Sequence, residues 1–387
     1  MTEAAIAIVW DDSAEEAGRK LAEEIKAKLN GRSPHAVLVF ASSRYNYAEL
    51  LTALNSGCQP AHLIGCSSAG EFTKQAQKEG AVCAVGLWSQ RLKFSAGVGT
   101  NLRRSQASAA ENMVSTFKGL HSHDHRYHTA IVLSDALAGY TDDFIQELTL
   151  KTRGKYQLVG GGAGDDAKFH ETEVFFGTKS YKDAAVALEI VSNEPIGIGV
   201  QHGWEAASRA MRVTESDGSN LISIDSMPAV EAFQEFADLT KQNFDQKAPI
   251  PFFLHNVIGL HTSSGYKLRV PLSINADGSV SCASSVPEGS TIHIMRTSNA
   301  SAANAAAMAA EAALAQLNGN EPRVAIFFDC VATRLRMGVD FGLELSSLST
   351  ALKDAEFVGC NTYGQIARVD GQFSGFHNCT AVTCILP

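Results

Sequence analysis

The stretch Gly65-Cys66-Ser67-Ser68-Ala69-Gly70-Glu71 has a close counterpart near the other end of the chain, Gly359-Cys360-Asn361-Thr362-Tyr363-Gly364-Gln365. Both stretches share a Gly-x-x-x-x-Gly frame, and two apolar residues precede each of them. A third and weaker copy is Gly160-Gly161-Gly162-Ala163-Gly164-Asp165. Such self-similarity indicates a repeated structural unit, because a chance match of loops would not keep the same frame and flanks.

The residues around each copy follow one order: strand, helix, strand, Gly-rich turn, strand. The leading strands are predicted within 35–43, 128–135 and 322–330, and the strands after the turns at 81–87, 173–176 and 379–386. Alternating strands and helices indicate an α/β fold with repeated strand-helix-strand units in mixed sheets. In such folds ligands commonly lie at the carboxyl ends of strands, so we expect the three turns to converge on one or two clefts.

The region between the second and third copies, 183–321, is richer in strand signals than the rest of the chain. Asp277-Gly278 is typical of a hairpin turn, and the Ala-rich segment 298–317 predicts one long helix. We therefore predict two domains, 1–190 and 191–387, with a strand-rich segment between the outer units.

Composition excludes some classes of protein. The chain has 387 residues with 45% hydrophobic and 19% charged residues, and its net charge of −9 offers no basic footprint for nucleic acid. The longest apolar runs are strand-sized, so no membrane span is expected, and the first residues do not resemble a signal peptide. We expect a cytoplasmic protein whose eight cysteines are mostly buried small hydrophobes.

The Gly-rich turns also carry a family resemblance. The stretch 65–71 resembles the signature of the N-terminal FIST domain, and 359–365 followed by Phe376-His377-Asn378-Cys379-Thr380 resembles that of the C-terminal FIST domain. The segments 256–260 and 287–290 also fit the C-terminal pattern, and the resemblance covers about 30–380. One departure is Gln365, where the family usually has Glu, so a role that needs a carboxylate there is in doubt.

The resemblance implies a sensor of small ligands in signal transduction. A stand-alone bacterial subgroup of the family binds haem, senses nitric oxide and regulates a partner histidine kinase in a two-component system, and this is the most specific function implied. A sensor of an amino-acid-like or other small polar metabolite without haem is the alternative, and an enzyme acting at the turns is a third. We expect a separate signalling protein as the partner, and a homodimer stays open.

Candidate ligand-binding residues lie in or beside the turns, where backbone N–H groups and short polar side chains can surround an anion or amide. They are Ser43, Gly65, Ser67, Ser68, Asp135, Gly161, Gly162, Asn361, Tyr363 and Asn378. The turns match neither the G-x-S-x-G nucleophile elbow nor a phosphate-binding loop, so no catalytic residue is predicted.

Haem needs one axial ligand in a largely apolar pocket, and the candidates are His202, His255 and His377, of which at most one is expected to bind. The absence of a C-x-x-C-H motif excludes covalent haem attachment. The cluster His121-Ser122-His123-Asp124-His125, with His128, is the densest metal-like group. We interpret it as an exposed loop before a strand and predict no metal site.

Overall fold

The structure, a computed structural model, describes residues 1–122, 124–369 and 375–387. Three α/β units follow one another along the chain, and an antiparallel region is inserted into the third. The predicted α/β class with repeated units in mixed sheets is confirmed. None of the helices in the described ranges is long and apolar enough to cross a membrane.

Each unit contributes four of its own strands to a six-stranded sheet, and the last two of the four, which lie at the centre of that sheet, run parallel. The first unit contributes Thr2–Val9, Val82–Ser89, Ala36–Ser42 and His62–Ser68, in that spatial order. The second contributes Lys93–Thr100, Ala184–Ser192, Tyr127–Ser134 and Gln157–Gly162. The third contributes Gly197–Gln201, Ala381–Leu386, Val324–Cys330 and Glu356–Thr362.

The units are joined by an exchange of short strand pairs. Each unit sends the two strands after its Gly-rich turn to the edge of another unit's sheet. The first unit gives Glu71–Thr73 and Gln77–Lys78 to the third, the second gives Val174–Phe176 and Lys179–Tyr181 to the first, and the third gives Gln365–Arg368 and Gly375–His377 to the second. The exchange closes a circle, so the three Gly-rich turns are brought to the centre of the molecule.

Two helices of each unit pack on the outer face of its sheet. They are Ala14–Lys28 and Tyr47–Cys58 in the first unit, Gln106–Val114 and Thr141–Lys151 in the second, and Asn299–Ala315 and Gly342–Leu352 in the third. The inner faces of the three sheets meet in one shared apolar core, which includes Phe40, Ile131 and Phe328. Since the central strands are buried on both faces, between the shared core and the outer helices, they read as continuous apolar runs rather than as alternating patterns.

The inserted region, residues 205–296, lies between the first strand and the first helix of the third unit. It is a nine-stranded antiparallel sheet with its own core. Its strands are Glu205–Ala206, Met211–Asp217, Asn220–Ile224, Met227–Pro228, Val257–Thr262, Gly265–Arg269, Pro271–Ile274, Val280–Cys282 and Thr291–Arg296, and its helices are Ala229–Thr240 and Ile250–Phe253. The predicted hairpin at Asp277-Gly278 is present, and Gly278 has a positive φ of 81°.

The sequence predictions differ from the structure in three places. The strand Lys93–Thr100 and the helix Gln106–Val114 were not predicted, since neither has a clear apolar period. The third unit carries an extra short helix, Val331–Met337, directly after its leading strand. The residues that read as turns from the sequence, including Gly65, are largely the last residues of strands.

Candidate functional site

The three Gly-rich turns lie together and form a closed ring of hydrogen bonds, here called the turn ring (residues 65–71, 160–166 and 359–365). The first and third turns are joined by N–H donation from Ala69 to the Asn361 carbonyl (2.9 Å) and from Asn361 to the Gly70 carbonyl (2.8 Å). The third and second turns are joined in the same way. The Tyr363 N–H donates to the Gly162 carbonyl (2.9 Å), and the Gly162 N–H donates to the Gly364 carbonyl (2.8 Å). The predicted convergence of the turns is confirmed.

The second and first turns close the ring. Gly164 donates to the Ser67 carbonyl (2.9 Å) and Asp166 donates to the Ser68 carbonyl (3.0 Å). These backbone N–H groups therefore already have hydrogen-bond acceptors within the ring. The sequence hypothesis had them surrounding an anion, whereas in the structure their role is to hold the three units together.

The first glycine of the repeated frame has a packing role. A Cβ on Gly65 would lie 2.0 Å from the Val39 carbonyl oxygen, and one on Gly359 would lie 2.0 Å from that of Phe327. Both contacts fall between the two central parallel strands of a unit, at equivalent positions. The repeated glycine is thus explained by the close approach of neighbouring strands.

The last residue of the frame, Glu71 or Gln365, clamps its turn to the next strand. Glu71 contacts the Ser68 hydroxyl at 2.5 Å and accepts from the Ala81 N–H at 3.0 Å. Gln365 donates its amide N–H to Thr362 Oγ1 at 2.9 Å and accepts from the Thr380 N–H at 3.3 Å. Burial raises the pKa of Glu71 to about 8, so this carboxyl is protonated at neutral pH and behaves like the amide.

A mainly apolar cavity of about 420 Å³ lies beside the turn ring, where the second unit, the third unit and the inserted region meet. This volume is in the range of pockets for small molecules. The apolar lining residues are Ala136, Leu137, Phe169, Ile250, Leu254, Val270, Pro271, Leu272, Ala283, Val331, Ala332 and Leu335. The remaining lining residues are Cys330, Tyr363, Gly364 and Asn378.

The mouth of the cavity is apolar and reaches solvent. Phe169, Ile250 and Leu335 line the cavity and are each more than 40% exposed, which is unusual for side chains of this size. The ring of Phe169 stacks on Tyr363, with centroids 4.5 Å apart. An exposed apolar rim around a preformed cavity is typical of a ligand entrance.

Few polar groups face this cavity, and they are held in place. The Tyr363 hydroxyl donates to Asp165, which also accepts N–H bonds from Phe169, His170 and Glu171. Burial opposes ionisation of Asp165, but the hydrogen bonds from Tyr363 and from the backbone outweigh it and lower its pKa. A fixed anion therefore orients Tyr363 at the cavity wall.

Asn378 joins the inserted region to the third unit at the cavity wall. Its side-chain oxygen is 3.4 Å from both the Val270 N–H and the Ser284 hydroxyl, which donate to it. Its amide group donates to the His377 carbonyl. A ligand that displaces Asn378 would thus disturb the contact between the inserted region and the core.

A buried ion pair forms a second link between the inserted region and the units. Asp142 of the second unit accepts from Arg269 Nη2 and Lys267 Nζ, each at 3.0 Å, and from the Phe376 N–H at 3.2 Å. The Arg269 side chain is 2% exposed and also donates to the Ser285 carbonyl at 2.7 Å. Burial opposes ionisation of Asp142, but the two cations outweigh it and lower its pKa.

Ser43 lies away from the apolar cavity, in a polar cavity of about 500 Å³. Its hydroxyl donates to Asp166 at 2.6 Å and accepts from Lys168 Nζ at 2.7 Å. The other lining residues are Tyr45, Asn46, Tyr47, Ala48, Asp165, Lys168, His170, Glu171, Glu173 and Ser180. Both positively and negatively charged side chains therefore line this second cavity.

Among the other predicted ligand residues, Tyr363 and Asn378 line the apolar cavity. Asp135 is 4% exposed and caps the short helix Ala136–Ala138, accepting from Leu137 and Ala138 N–H. The others are buried in the turn ring or its strands: Gly65, Ser67, Ser68, Gly161, Gly162 and Asn361. Ligand binding by this buried group stays a prediction.

The three histidines predicted as haem ligands have different surroundings. In His202, Nε2 lies 2.9 Å from the Tyr266 carbonyl and Nδ1 accepts from the Trp204 N–H. His255 is exposed. His377 is 2% exposed, and burial lowers its pKa to about 3. Within the described ranges, none of the three lines either cavity.

The histidine-rich loop before the second unit's strand is only partly described, since His123 lies outside the described residues. His121 is exposed, whereas His128 is 5% exposed and packs edge-on against Tyr156. In the part of the chain that the structure covers, no group of three His, Cys, Asp or Glu side chains is placed to hold a metal ion.

The sequence did not single out the apolar walls of the cavity. Leu254, Val270 and Leu272 of the inserted region carry no motif, because cavity walls are made of the same residues as an ordinary core. One signal was available for Cys330. It ends a leading strand, where the other two units have Ser42 and Ser134.

Comparisons with known proteins identify a family. The model of the FIST N domain matches residues 35–227, and that of the FIST C domain matches residues 229–368. No curated protein matches the chain.

Among solved structures, cyanuric acid hydrolase from A. caulinodans is similar at a TM-score of 0.33 and 7% identity, covering 100% of this chain and 99% of that one. PurL of T. maritima complexed with ATP is similar at a TM-score of 0.23 and 11% identity, covering 99% and 71%. Both likenesses are too low to bear on function, whereas the two family matches together span most of the sequence. The chain belongs to the FIST family, with a FIST N domain followed by a FIST C domain.

Proposed function

We propose that this protein is a sensor whose ligand is small and mainly apolar and binds in the cavity between the turn ring and the inserted region. FIST domains are sensory modules associated with small ligands in signalling. The observation that carries the proposal is the cavity itself: about 420 Å³, walls from three parts of the fold, and an exposed apolar rim.

The polar groups of the cavity define the ligand further. Tyr363, Asn378 and the Cys330 thiol are the lining side chains that can hydrogen-bond, and twelve of the remaining lining residues are apolar. A compact aromatic or branched aliphatic molecule with one or two polar atoms fits this lining. Apolar contact would supply most of the affinity, and the polar groups would fix the orientation.

Signalling would follow from the position of the cavity between the inserted region and the units. A ligand shifts a conformational equilibrium only when it binds the two states with different affinity. Contact with Leu254 and Leu272 on one side and Val331 on the other would favour one packing of the inserted region. A separate signalling protein would read that packing, and a histidine kinase is the partner class that the family resemblance implies.

Haem does not fit the residues predicted to ligate it. His202 uses both ring nitrogens within the fold, and His377 is buried where neither cavity reaches it. His255 is exposed and lies outside the apolar cavity. The proposed ligand is therefore an organic molecule rather than a haem-bound gas.

The polar cavity at Ser43 favours a second candidate function, the sensing of an amino-acid-like metabolite. Lys168, His170, Glu171 and Glu173 all line it, and side chains of both charge signs suit a zwitterion. Lys168 already bonds Ser43 and lies 3.5 Å from Asp166, so a ligand must compete with these contacts. The apolar cavity has fewer internal partners to displace, which makes it the first choice.

A thermal-shift screen with two compound sets tests the proposal. One set contains small aromatic and aliphatic molecules, and the other contains amino acids and their analogues. Binding to the folded state raises the melting temperature by mass action, so hits in the apolar set support the first candidate. Hits confined to the amino-acid set, lost in Ser43→Ala, would replace it by the second.

Addition of haem to the same protein supplies a further comparison. Stoichiometric haem binding, seen as a Soret band, that displaces the apolar hits would overturn the organic-ligand proposal. The absence of such a band, together with an apolar hit, would support it.

A further inference from the structure

A pair of cysteines lies at the floor of the apolar cavity. Cys330 lines the cavity, and Cys379 packs behind it in the same apolar cluster without lining it. The strand that ends at Cys330 pairs with the strand that follows Cys379, Phe328 lying opposite Val382, so the register places the two cysteines next to each other. Cys330 is therefore the residue of the pair that borders the cavity.

The surroundings of Cys330 favour its thiolate form. The groups that favour the thiolate of Cys330 are the Cys379 thiol, the backbone N–H groups of Cys379 and Ala332, and the side chain of Gln365. These donors, the Cys379 thiol first, outweigh burial and lower the pKa of Cys330 to about 6. By contrast, burial alone raises the pKa of Cys384 to about 12.

We propose that Cys330 and Cys379 form a reversible dithiol–disulfide pair, which a hydroperoxide entering the apolar cavity oxidises. Cys330 is the attacking residue because it faces the cavity, and Cys379 is the resolving residue because it lies behind. This modification site is independent of the sensory ligand proposed above and does not require that a ligand bind.

The chemistry balances in two steps. The Cys330 thiolate attacks the terminal oxygen of the hydroperoxide, the O–O bond breaks, and the alkoxide takes a proton from water and leaves as an alcohol. Cys330 is then a sulfenic acid. The Cys379 sulfur attacks the Cys330 sulfur, the S–S bond forms as the S–O bond breaks, and the hydroxyl leaves with the Cys379 proton as water.

Formation of the bond would alter the cavity floor and the Asn378 link beside it. Cys379 follows Asn378 directly and has a left-handed backbone with φ of 48°. The negative charge that the Gln365 side chain helps to stabilise at Cys330 would be lost. The disulfide would thus change the contact between the turn ring and the inserted region.

Peptide mapping of the full chain tests the pair. The reduced protein is treated with cumene hydroperoxide, unfolded, alkylated with N-ethylmaleimide and digested. We expect two alkylatable thiols to be lost and a linked peptide containing Cys330 and Cys379, with both thiols restored by dithiothreitol. A linkage between other cysteines, or no linkage before the protein unfolds, would overturn the proposal.

Single variants separate the two roles. In Cys379→Ser the sulfenic acid at Cys330 should persist and be trapped by dimedone, whereas Cys384→Ser should form the disulfide as the parent does. The alkylation rate of Cys330 by N-ethylmaleimide in the folded protein should exceed that of Cys384 by more than about tenfold at neutral pH. Equal rates, or a dimedone adduct elsewhere, would contradict the assignment even if one variant fails to fold.

Discussion

The first and third units present the same elements to different surroundings. At the end of its leading strand the first unit has Ser42-Ser43 beside a polar cavity, whereas the third has Cys330-Val331 beside an apolar one. The inserted region covers the third unit's end and supplies six of the cavity's lining residues. A repeated scaffold thus acquires a distinct site where an insertion encloses one of its strand ends.

The clamp residues of the first and third units show how one position tolerates different chemistry. Glu71 and Gln365 reach back three residues to a hydroxyl and forward to a backbone N–H. Because Gln365 donates to Thr362, a protonated Glu71 can donate to Ser68 in the same way. The departure from Glu at position 365 therefore keeps the clamp intact.

The largest effect should come from the ion pair that fastens the inserted region to the units. In Asp142→Asn the buried Arg269 loses its anion, and we expect unfolding to become easier by about 3–5 kcal/mol. Chemical denaturation at pH 7 measures this. Asp143→Asn, one residue along and exposed, is the control and should change the free energy of unfolding little; an equal loss in both would contradict a specific role for the pair.

The next effect concerns the frame glycines, which test whether the first and third units are equivalent. Gly65→Ala and Gly359→Ala each place a methyl group against a neighbouring carbonyl, so each should cost about 2–3 kcal/mol of stability. Melting temperatures of the two variants report it. Gly342→Ala, where a Cβ meets nothing within 4 Å, serves as the control. A loss in only one of the frame variants would break the equivalence.

Measured per pH unit, the smallest effect is the pH dependence of the clamps. The pKa of Glu71 rises from 4.5 unfolded to about 8 folded, so its stabilisation is full below pH 4.5 and is lost as pH rises to 8. The slope is about 1.4 kcal/mol per pH unit in that window. Denaturation at several pH values should show a shallower loss in Glu71→Gln.

The reverse exchange sharpens the same comparison. Gln365→Glu should acquire an additional loss of stability between pH 5 and about 8, since the new carboxyl is buried like that of Glu71. The two variants should therefore move the pH profile in opposite directions. Identical profiles for both variants and the parent would contradict the raised pKa of a buried carboxyl at the clamp position.

Much of the fold followed from the sequence, since the repeated frame around Gly65 and Gly359 indicated the units, and the convergence of their turns. The exchange of strands between units could not be predicted from the sequence. Strands as short as Glu71–Thr73 and Gln77–Lys78 show no recognisable hydrophobic period. The partner of Glu71–Thr73, Glu356–Thr362, lies far along the chain.

The candidate site could be predicted from the sequence only in part, for a related reason. Tyr363 and Asn378 stood out as polar residues of a motif, and both line the apolar cavity. Leu254 and Val270 did not, since an apolar side chain in a cavity wall has the same sequence pattern as one in a core. The sequence also predicted Ser43 as a ligand residue together with Tyr363 and Asn378, but the fold places Ser43 in the other cavity.

The occupancy of the apolar cavity is the most direct test of the central claim. Isothermal titration should measure the affinity of the strongest apolar hit for the parent protein, for Ala332→Trp and for Ala283→Trp. The two tryptophans fill the cavity from the third unit and from the inserted region. We predict that both variants weaken binding by about a hundredfold, roughly 2.7 kcal/mol, while Ser43→Ala binds like the parent. Unchanged affinity in folded Ala332→Trp and Ala283→Trp would contradict the account.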